Sequence, residues 1–181
     1  MTAEFFTGIQ SFPSPGQRKA VVTVGTFDGI HLGHQEIFRR VQADSEQSGL
    51  LPVLVTFDPH PRTVVTPENV PMLLTTATEK ARFIPDFFHG KVLTLPFDTD
   101  LMNMSGEQFV EQILIERIGM AKLIVGYDHA VGRDRSGNID ELQRLGRKHN
   151  YEMEVVQPVA YKDQAVSSSR IRTALTSGDF E

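Results

Sequence analysis

Five short apolar runs punctuate the chain at Ala20–Val24, Leu51–Phe57, Lys91–Phe97, Leu123–Val125 and Glu154–Val156. Each is rich in β-branched or aromatic residues and too short for a helix, which predicts buried strands. Between them the pattern changes to helical spacing. Ile37, Phe38 and Val41 face inward after the first run. Thr76-Ala77-Thr78-Glu79 fits a capping box that opens a second helix. Ser105-Gly106-Glu107-Gln108 opens a third, with Phe109, Ile113, Leu114 and Ile118 on one face and Gly119 as its stop. Asn138 to Glu141 caps a helix through Leu142 and Leu145, and Ser167 to Leu175 forms a last one before Gly178. Residues 1–19, with Pro13, Pro15 and Gly16, are expected to be an irregular or edge segment. Strands alternating with helices over this spacing predict right-handed βαβ units, hence an α/β fold with an open parallel sheet and helices on both faces. Neither a repeat nor a linker interrupts it, so residues 1–181 are expected to form a single domain.

The stretch after the first strand carries the candidate chemistry: Gly25-Thr26-Phe27-Asp28-Gly29-Ile30-His31-Leu32-Gly33-His34-Gln35. In open parallel sheets, ligands sit outside the carboxyl ends of strands, where loops lead into helix N-termini. Glycines there let a ligand approach the backbone, and a helix N-terminus offers open N–H groups to an anion. His31 and His34 fall on one side of the turn, and two imidazole donors suit a phosphate that gains charge in a transition state. A Walker loop is excluded, because no Gly-x-x-x-x-Gly-Lys-Ser/Thr occurs, and the glycine spacing fails the dinucleotide fingerprint. A zinc pair normally has a spacing of four and a third ligand, so no protein metal ligands are expected here.

Two other stretches stand out. In Ser167-Ser168-Ser169-Arg170-Ile171-Arg172, hydroxyls sit at a helix start and two arginines follow within the first turn, where cations oppose the dipole. A bound polyphosphate would account for them, and a plain serine cap with solvated arginines is the alternative. Pro59-His60-Pro61 stiffens a loop at a strand's end, either for structure alone or to present Phe57 and the rings to a flat aromatic ligand. The loop Gly132 to Gly137 suits a solvated turn as well as a phosphate contact.

Composition narrows the class. Of the 181 residues, 40% are hydrophobic and 23% charged, and the net charge is −5, which argues against general nucleic-acid or membrane-surface binding. The chain has no cysteine, so disulfides, thiolate metal sites and thiol nucleophiles are excluded. No apolar run approaches the length of a membrane span, and the first twenty residues lack the pattern of a signal peptide. A cytoplasmic protein with neither nucleic-acid nor membrane partner, and no obligate protein partner, is expected.

Gly25-x-Phe27-Asp28-Gly29-x-His31-x-Gly33-His34-Gln35 resembles the His-x-Gly-His signature of the nucleotidyltransferase superfamily, and in particular the bacterial FMN adenylyltransferase (FAD synthetase) branch. Thr56-Phe57-Asp58-Pro59-His60-Pro61, the segment Val125 to Gly132, and Ser167 to Arg172 are similar to three further segments of that family. Ser169 stands where threonine is usual, and Ala130-Val131 where Arg-Phe is typical. The resemblance implies a Rossmann-like fold of nucleotidyltransferase type and transfer of AMP from ATP to FMN, giving FAD and pyrophosphate with Mg2+. It implies catalytic roles for His31, His34 and Arg170, and ATP contacts at Gly25, Thr26, Phe27, Asp28, Gly33, Ser168, Ser169 and Arg172. Flavin contacts fall on Phe57, Pro59, His60, Pro61 and Asp128. Asp28 and Asp128 are also candidates for a metal shell. A C-terminal riboflavin kinase domain usually follows in this family, and it is expected to be absent from this chain, which stops at Glu181. Rival readings are the same chemistry on another phosphorylated acceptor, or a non-catalytic module binding nucleotide or flavin.

Overall fold

The apolar runs become neighbours in one sheet, and helices cover both of its faces. The computed structural model describes residues 2–16 and 18–179; Glu181, where a linker is expected to begin, lies outside them. In chain order the elements are β1 (Glu4–Thr7), β2 (Ala20–Val24), α1 (Leu32–Ser48), β3 (Leu51–Asp58), α2 (Pro61–Val65) and α3 (Ala77–Phe83). They continue with β4 (Lys91–Pro96), α4 (Thr99–Asn103), α5 (Gly106–Gln108), β5 (Met120–Gly126), α6 (Ile139–His149) and β6 (Glu152–Val156). A two-stranded hairpin, β7 (Ala160–Tyr161) and β8 (Gln164–Ala165), leads into α7 (Ser168–Ser177).

Six strands form one sheet in the order β1-β4-β3-β2-β5-β6, with every neighbouring pair parallel. Alternation along the strands feeds two cores. Val21, Leu54, Val92 and Ile124 pack with Phe38 and Val41 of α1 and with Ile84 and Phe88 after α3. Val22, Val55, Leu93 and Val125 point the other way, onto Phe109, Leu114, Leu142 and Leu145. A strand buried on both faces reads as a continuous apolar run, and all five residues of β2 are buried.

One feature gives the expected edge segment its form, and two differ from the sequence expectation. The start of the chain supplies a true edge strand, Glu4 to Thr7, paired in register with Lys91 to Thr94. The helix opens at Ser105 as expected, through a capping box with Gln108, but winds as a π-helix over Phe109–Arg117. The hairpin and the short α2 and α4 carry no apolar period long enough to announce them. Among the described residues, no helix is long and apolar enough to cross a membrane.

Candidate active site

Strand order reverses direction at β2. From there the chain builds outward through β3 and β4 on one side, then returns to add β5 and β6 on the other. Such a switch point leaves a crevice at the carboxyl ends of the central strands. A cavity of about 720 Å³ opens there, with Gly25 after β2, Phe57 near the end of β3, Gly126 at the end of β5 and Val156 at the end of β6 in its walls. It is large enough for a nucleotide and a second ring system.

The glycine-histidine loop forms the floor. Phe27 and Ile30 hold left-handed backbone at φ 49° and 39°, a strained state for such residues that persists only where surroundings enforce it. Gly29 also has positive φ, 83°, and a Cβ there would lie 2.8 Å from the Leu74 side chain. What enforces the loop is Asp28. Its buried carboxylate accepts from the Leu74 and Thr75 amides (2.9 and 2.8 Å) and from the Thr75 hydroxyl, and it pairs with Arg172. Gly29 N–H donates to Thr75 Oγ1 at 2.9 Å, the Ser168 hydroxyl donates to the Asp28 carbonyl at 2.9 Å, and Gln35 Nε2 donates to the Ile30 carbonyl at 2.9 Å. Asp28 thus ties together the loop, the 72–75 segment and α7.

His31 is the N-cap of α1, but its side chain does not cap the helix, so the first-turn amides stay open toward the cavity. Its ring stacks on that of His34, with centroids 3.6 Å apart and planes 19° from parallel. Gly33 makes this possible, since a Cβ there would press against the His31 ring at 3.2 Å. The Nδ1 atoms of both rings are buried without a hydrogen-bond partner. Burial, reinforced by repulsion from His31, pushes His34 down to about 3. Burial also holds His31 below the usual imidazole range, against the pull of Asp128 and Asp28. Both rings are therefore neutral near pH 7.

A second helix start converges on the same space. Ser167 caps α7 by accepting from Arg170 N–H at 3.2 Å, and Ser168, Ser169 and Arg172 line the cavity. Arg172 also donates from Nε to the Met72 carbonyl at 2.6 Å. Arg170 does not line the cavity: its guanidinium donates to the carbonyls of Tyr161 and Gln164 at 3.2 and 2.9 Å, across the hairpin. Of the residues expected against a flat ligand, Phe57, His60, Pro61 and Asp128 line the cavity and Pro59 does not. His60 Nδ1 accepts from Arg62 N–H at 3.2 Å and caps α2, and burial lowers its basicity.

Sequence reasoning missed part of the wall. Phe97, Leu101 and Met102 complete an apolar side opposite the histidines with Phe57 and Phe109. Only Phe97, at the carboxyl end of a predicted strand, was open to inference by position. Val131 is buried and bridges Gly137, and Gly106 N–H donates to Ser136 Oγ at 3.0 Å, so the 132–137 loop is anchored against α5, while Arg133 and Asp134 are exposed and, with Gly132, border the cavity. Lys80 is also buried, beneath the glycine-histidine loop. Its charge reads as surface in the sequence, and only the fold of the 72–80 segment reveals its place.

The profile of the FAD synthetase family matches residues 14–170 of this chain. The chain belongs to the FAD synthetase family. It is 36% identical over 167 residues to the bifunctional riboflavin kinase/FMN adenylyltransferase of Pseudomonas fluorescens, covering 92% of this chain and 53% of that protein. The protein of the same name from Bacillus subtilis is 31% identical over 167 residues, covering 91% and 52%. The chain thus spans about half the length of the curated relatives it matches. Among solved structures, one titled a macrolide-efflux protein from Streptococcus pneumoniae superposes with a TM-score of 0.81 at 24% identity, covering 99% of this chain and 59% of that one. A pantoate-beta-alanine ligase from Francisella tularensis superposes with 0.63 at 12% identity, covering 93% and 72%. At those identities the two structures speak for the fold alone, the α/β architecture that the strand pattern predicts and whose nucleotidyltransferase-like type the resemblance implies.

Proposed function

We propose that these 181 residues form one adenylyltransferase domain that joins ATP and FMN into FAD and pyrophosphate. The observation that carries this reading is the convergence of the stacked His31–His34 pair and the two helix starts, α1 and α7, on one cavity at the sheet's switch point, in a member of the FAD synthetase family. An FMN phosphate oxygen attacks the α-phosphorus of ATP, the bond to the β-phosphate oxygen breaks, and pyrophosphate leaves. The attacking phosphate is already an anion, so no general base is needed. Catalysis then rests on positioning and on stabilising charge at the α-phosphate. Neutral imidazoles serve this well, since they donate hydrogen bonds as charge builds without holding the product dianion too tightly. The open amides of α1 lie beside them.

Ser168, Ser169 and Arg172 would meet the outer phosphates. Arg170 would reach them only by leaving the two hairpin carbonyls it now holds. The apolar wall of Phe57, Phe97 and Phe109, with His60 and Pro61 at its rim, offers the flat surface an isoalloxazine ring requires.

The cavity also fits Mg2+ that arrives with ATP. Such an ion keeps much of its shell from water and substrate, and Asp128 would be the residue to hold it, with its carboxylate at the cavity wall. Among the described residues, the one cluster with several candidate ligands is Glu107, Glu111 and His149, which lies outside the cavity, and Lys148 is bonded to both of its carboxylates at 2.8 and 2.9 Å. Held in the cavity beside Asp128, the ion would help to neutralise the departing pyrophosphate. We assign the reaction to the cytoplasm, where ATP is plentiful.

The test is pyrophosphate release from Mg-ATP across a panel of phosphorylated acceptors: FMN, nicotinamide mononucleotide, pantetheine phosphate and glycerol phosphate. Release with FMN at least tenfold above the others is expected. Release that peaks with another acceptor would reassign the substrate, and no release with any would leave a binding module.

A further inference from the structure

Lys80 is a charged side chain placed where charge is expensive. It sits on α3, only 9% exposed, and it does not line the large cavity. Its ammonium has three donors, and each has an acceptor: the Phe57 carbonyl at 3.1 Å, the Thr26 carbonyl at 3.3 Å and Thr56 Oγ1 at 3.4 Å. The buried Thr56 hydroxyl in turn donates to the same Thr26 carbonyl at 3.2 Å. No carboxylate forms an ion pair with Lys80 among the described residues; Asp58 and Asp28 act on it only from farther away. A buried ammonium held by carbonyl groups rather than by a carboxylate keeps its positive field, which in a low-dielectric interior reaches well beyond its own contacts.

Both carbonyls lie at the carboxyl ends of adjacent parallel strands, Thr26 just past β2 and Phe57 near the end of β3's ladder, and these strands frame one side of the crevice. A trans peptide unit points its C=O and its N–H in opposite directions. Drawing the Thr26 oxygen toward Lys80 therefore turns the Phe27 N–H away from Lys80, toward the cavity that Thr26 and Phe27 line. The same peptide leads into the left-handed backbone at Phe27, φ 49°, which needs an external hold. Asp28 provides that hold on the far side of Phe27 by gripping the Leu74 and Thr75 amides, and Lys80 follows a few residues later in the same segment. The loop is thus gripped at both ends by one short stretch of chain.

We infer that Lys80 is a positioning residue for the phosphate site: its ammonium, with Thr56, fixes the Thr26–Phe27 peptide and supplies an unpaired positive charge behind the loop that receives the phosphates of ATP. This rests on the adenylyl-transfer reading and extends it to a residue outside the cavity. It makes a demand that a merely structural lysine does not. Removing the ammonium should weaken ligands in proportion to their phosphate charge and leave the adenosine part untouched.

The test compares wild-type chain with Lys80→Met, which keeps the unbranched stem, by titration calorimetry against Mg-ATP and against adenosine, with thermal melts to verify folding. About a tenfold loss in ATP affinity is expected, the scale of a lost charge-assisted interaction, with adenosine affinity within twofold of wild type. Thr56→Val, which removes one link of the network and leaves the ammonium, should weaken ATP about threefold and adenosine not at all. It carries the test if Lys80→Met does not fold. ATP and adenosine weakened alike, or ATP unchanged in the folded variants, would overturn the inference. Wild-type chain that binds no ATP would instead overturn the adenylyl-transfer reading beneath it.

Discussion

The His31 and His34 rings stack with centroids 3.6 Å apart, a contact that two charged rings would not tolerate and that shapes how they can work. Donors aimed at charge that appears in the transition state affect turnover more than ground-state binding. His34→Ala is therefore expected to lower kcat by about two to three orders of magnitude with little change in ATP affinity, measured by steady-state kinetics and equilibrium titration. Near-normal turnover would make the pair structural. The depressed basicity of His34 also has a stability consequence. Its folded pKa is about 3, against 6.5 for an ordinary imidazole. Between those values the unfolded chain binds a proton that the folded chain refuses, so the His34 contribution to stability is complete above pH 6.5 and is lost as pH falls toward 3. Melting temperature should drop across that window, and His34→Phe, which cannot titrate, should flatten the drop. An equal acid slope in both proteins would contradict it. Arg172 and Asp28 make a third case. Arg172→Ala leaves a buried carboxylate without its cation, and a loss of about 3 kcal/mol in denaturant unfolding is expected, far more than for an exposed pair.

At the scale of elements, the sequence was most legible where one period dominated. The runs from Ala20, Leu51 and Lys91 announce central strands because both of their faces are buried, and the capping box at Thr76 is present as read, with Thr76 N–H donating to Glu79 at 2.8 Å. The winding of the helix after Ser105 was not legible. Phe109, Ile113, Leu114 and Ile118 suit an α-helical face, but the same residues suit the wider i→i+5 turn that brings Phe109 over Leu114, and packing chose the latter. The histidine pair and the α7 serines were legible because helix starts and glycine loops leave local marks. The partners of Asp28 and Arg170 were not, since they lie in segments without a pattern, at Leu74–Thr75 and in the hairpin. Arg170 is the staple of β7 and β8. Arg170→Ala should free the hairpin and speed tryptic cleavage after Lys162, at its exposed tip, read by limited proteolysis. Unchanged cleavage would show that the hairpin stands without it.

At the scale of the whole molecule, one six-stranded sheet brings the ends of β2, β3, β5 and β6 around a single cavity, with histidines on one side and an apolar wall on the other. On the proposed reading, that arrangement sets the imidazoles to serve the bond between the α- and β-phosphates. Phosphorylating a hydroxyl from ATP would require instead a held γ-phosphate and a base for the hydroxyl proton. The same two substrates, flavin and Mg-ATP, therefore separate the chemistries. The most direct measurement is to offer the 181-residue chain FMN with Mg-ATP and, separately, riboflavin with Mg-ATP, and to resolve the flavins by chromatography. The account predicts FAD from FMN, with pyrophosphate in equal amount, and no FMN from riboflavin. No FAD from FMN would contradict it, as would FMN appearing from riboflavin.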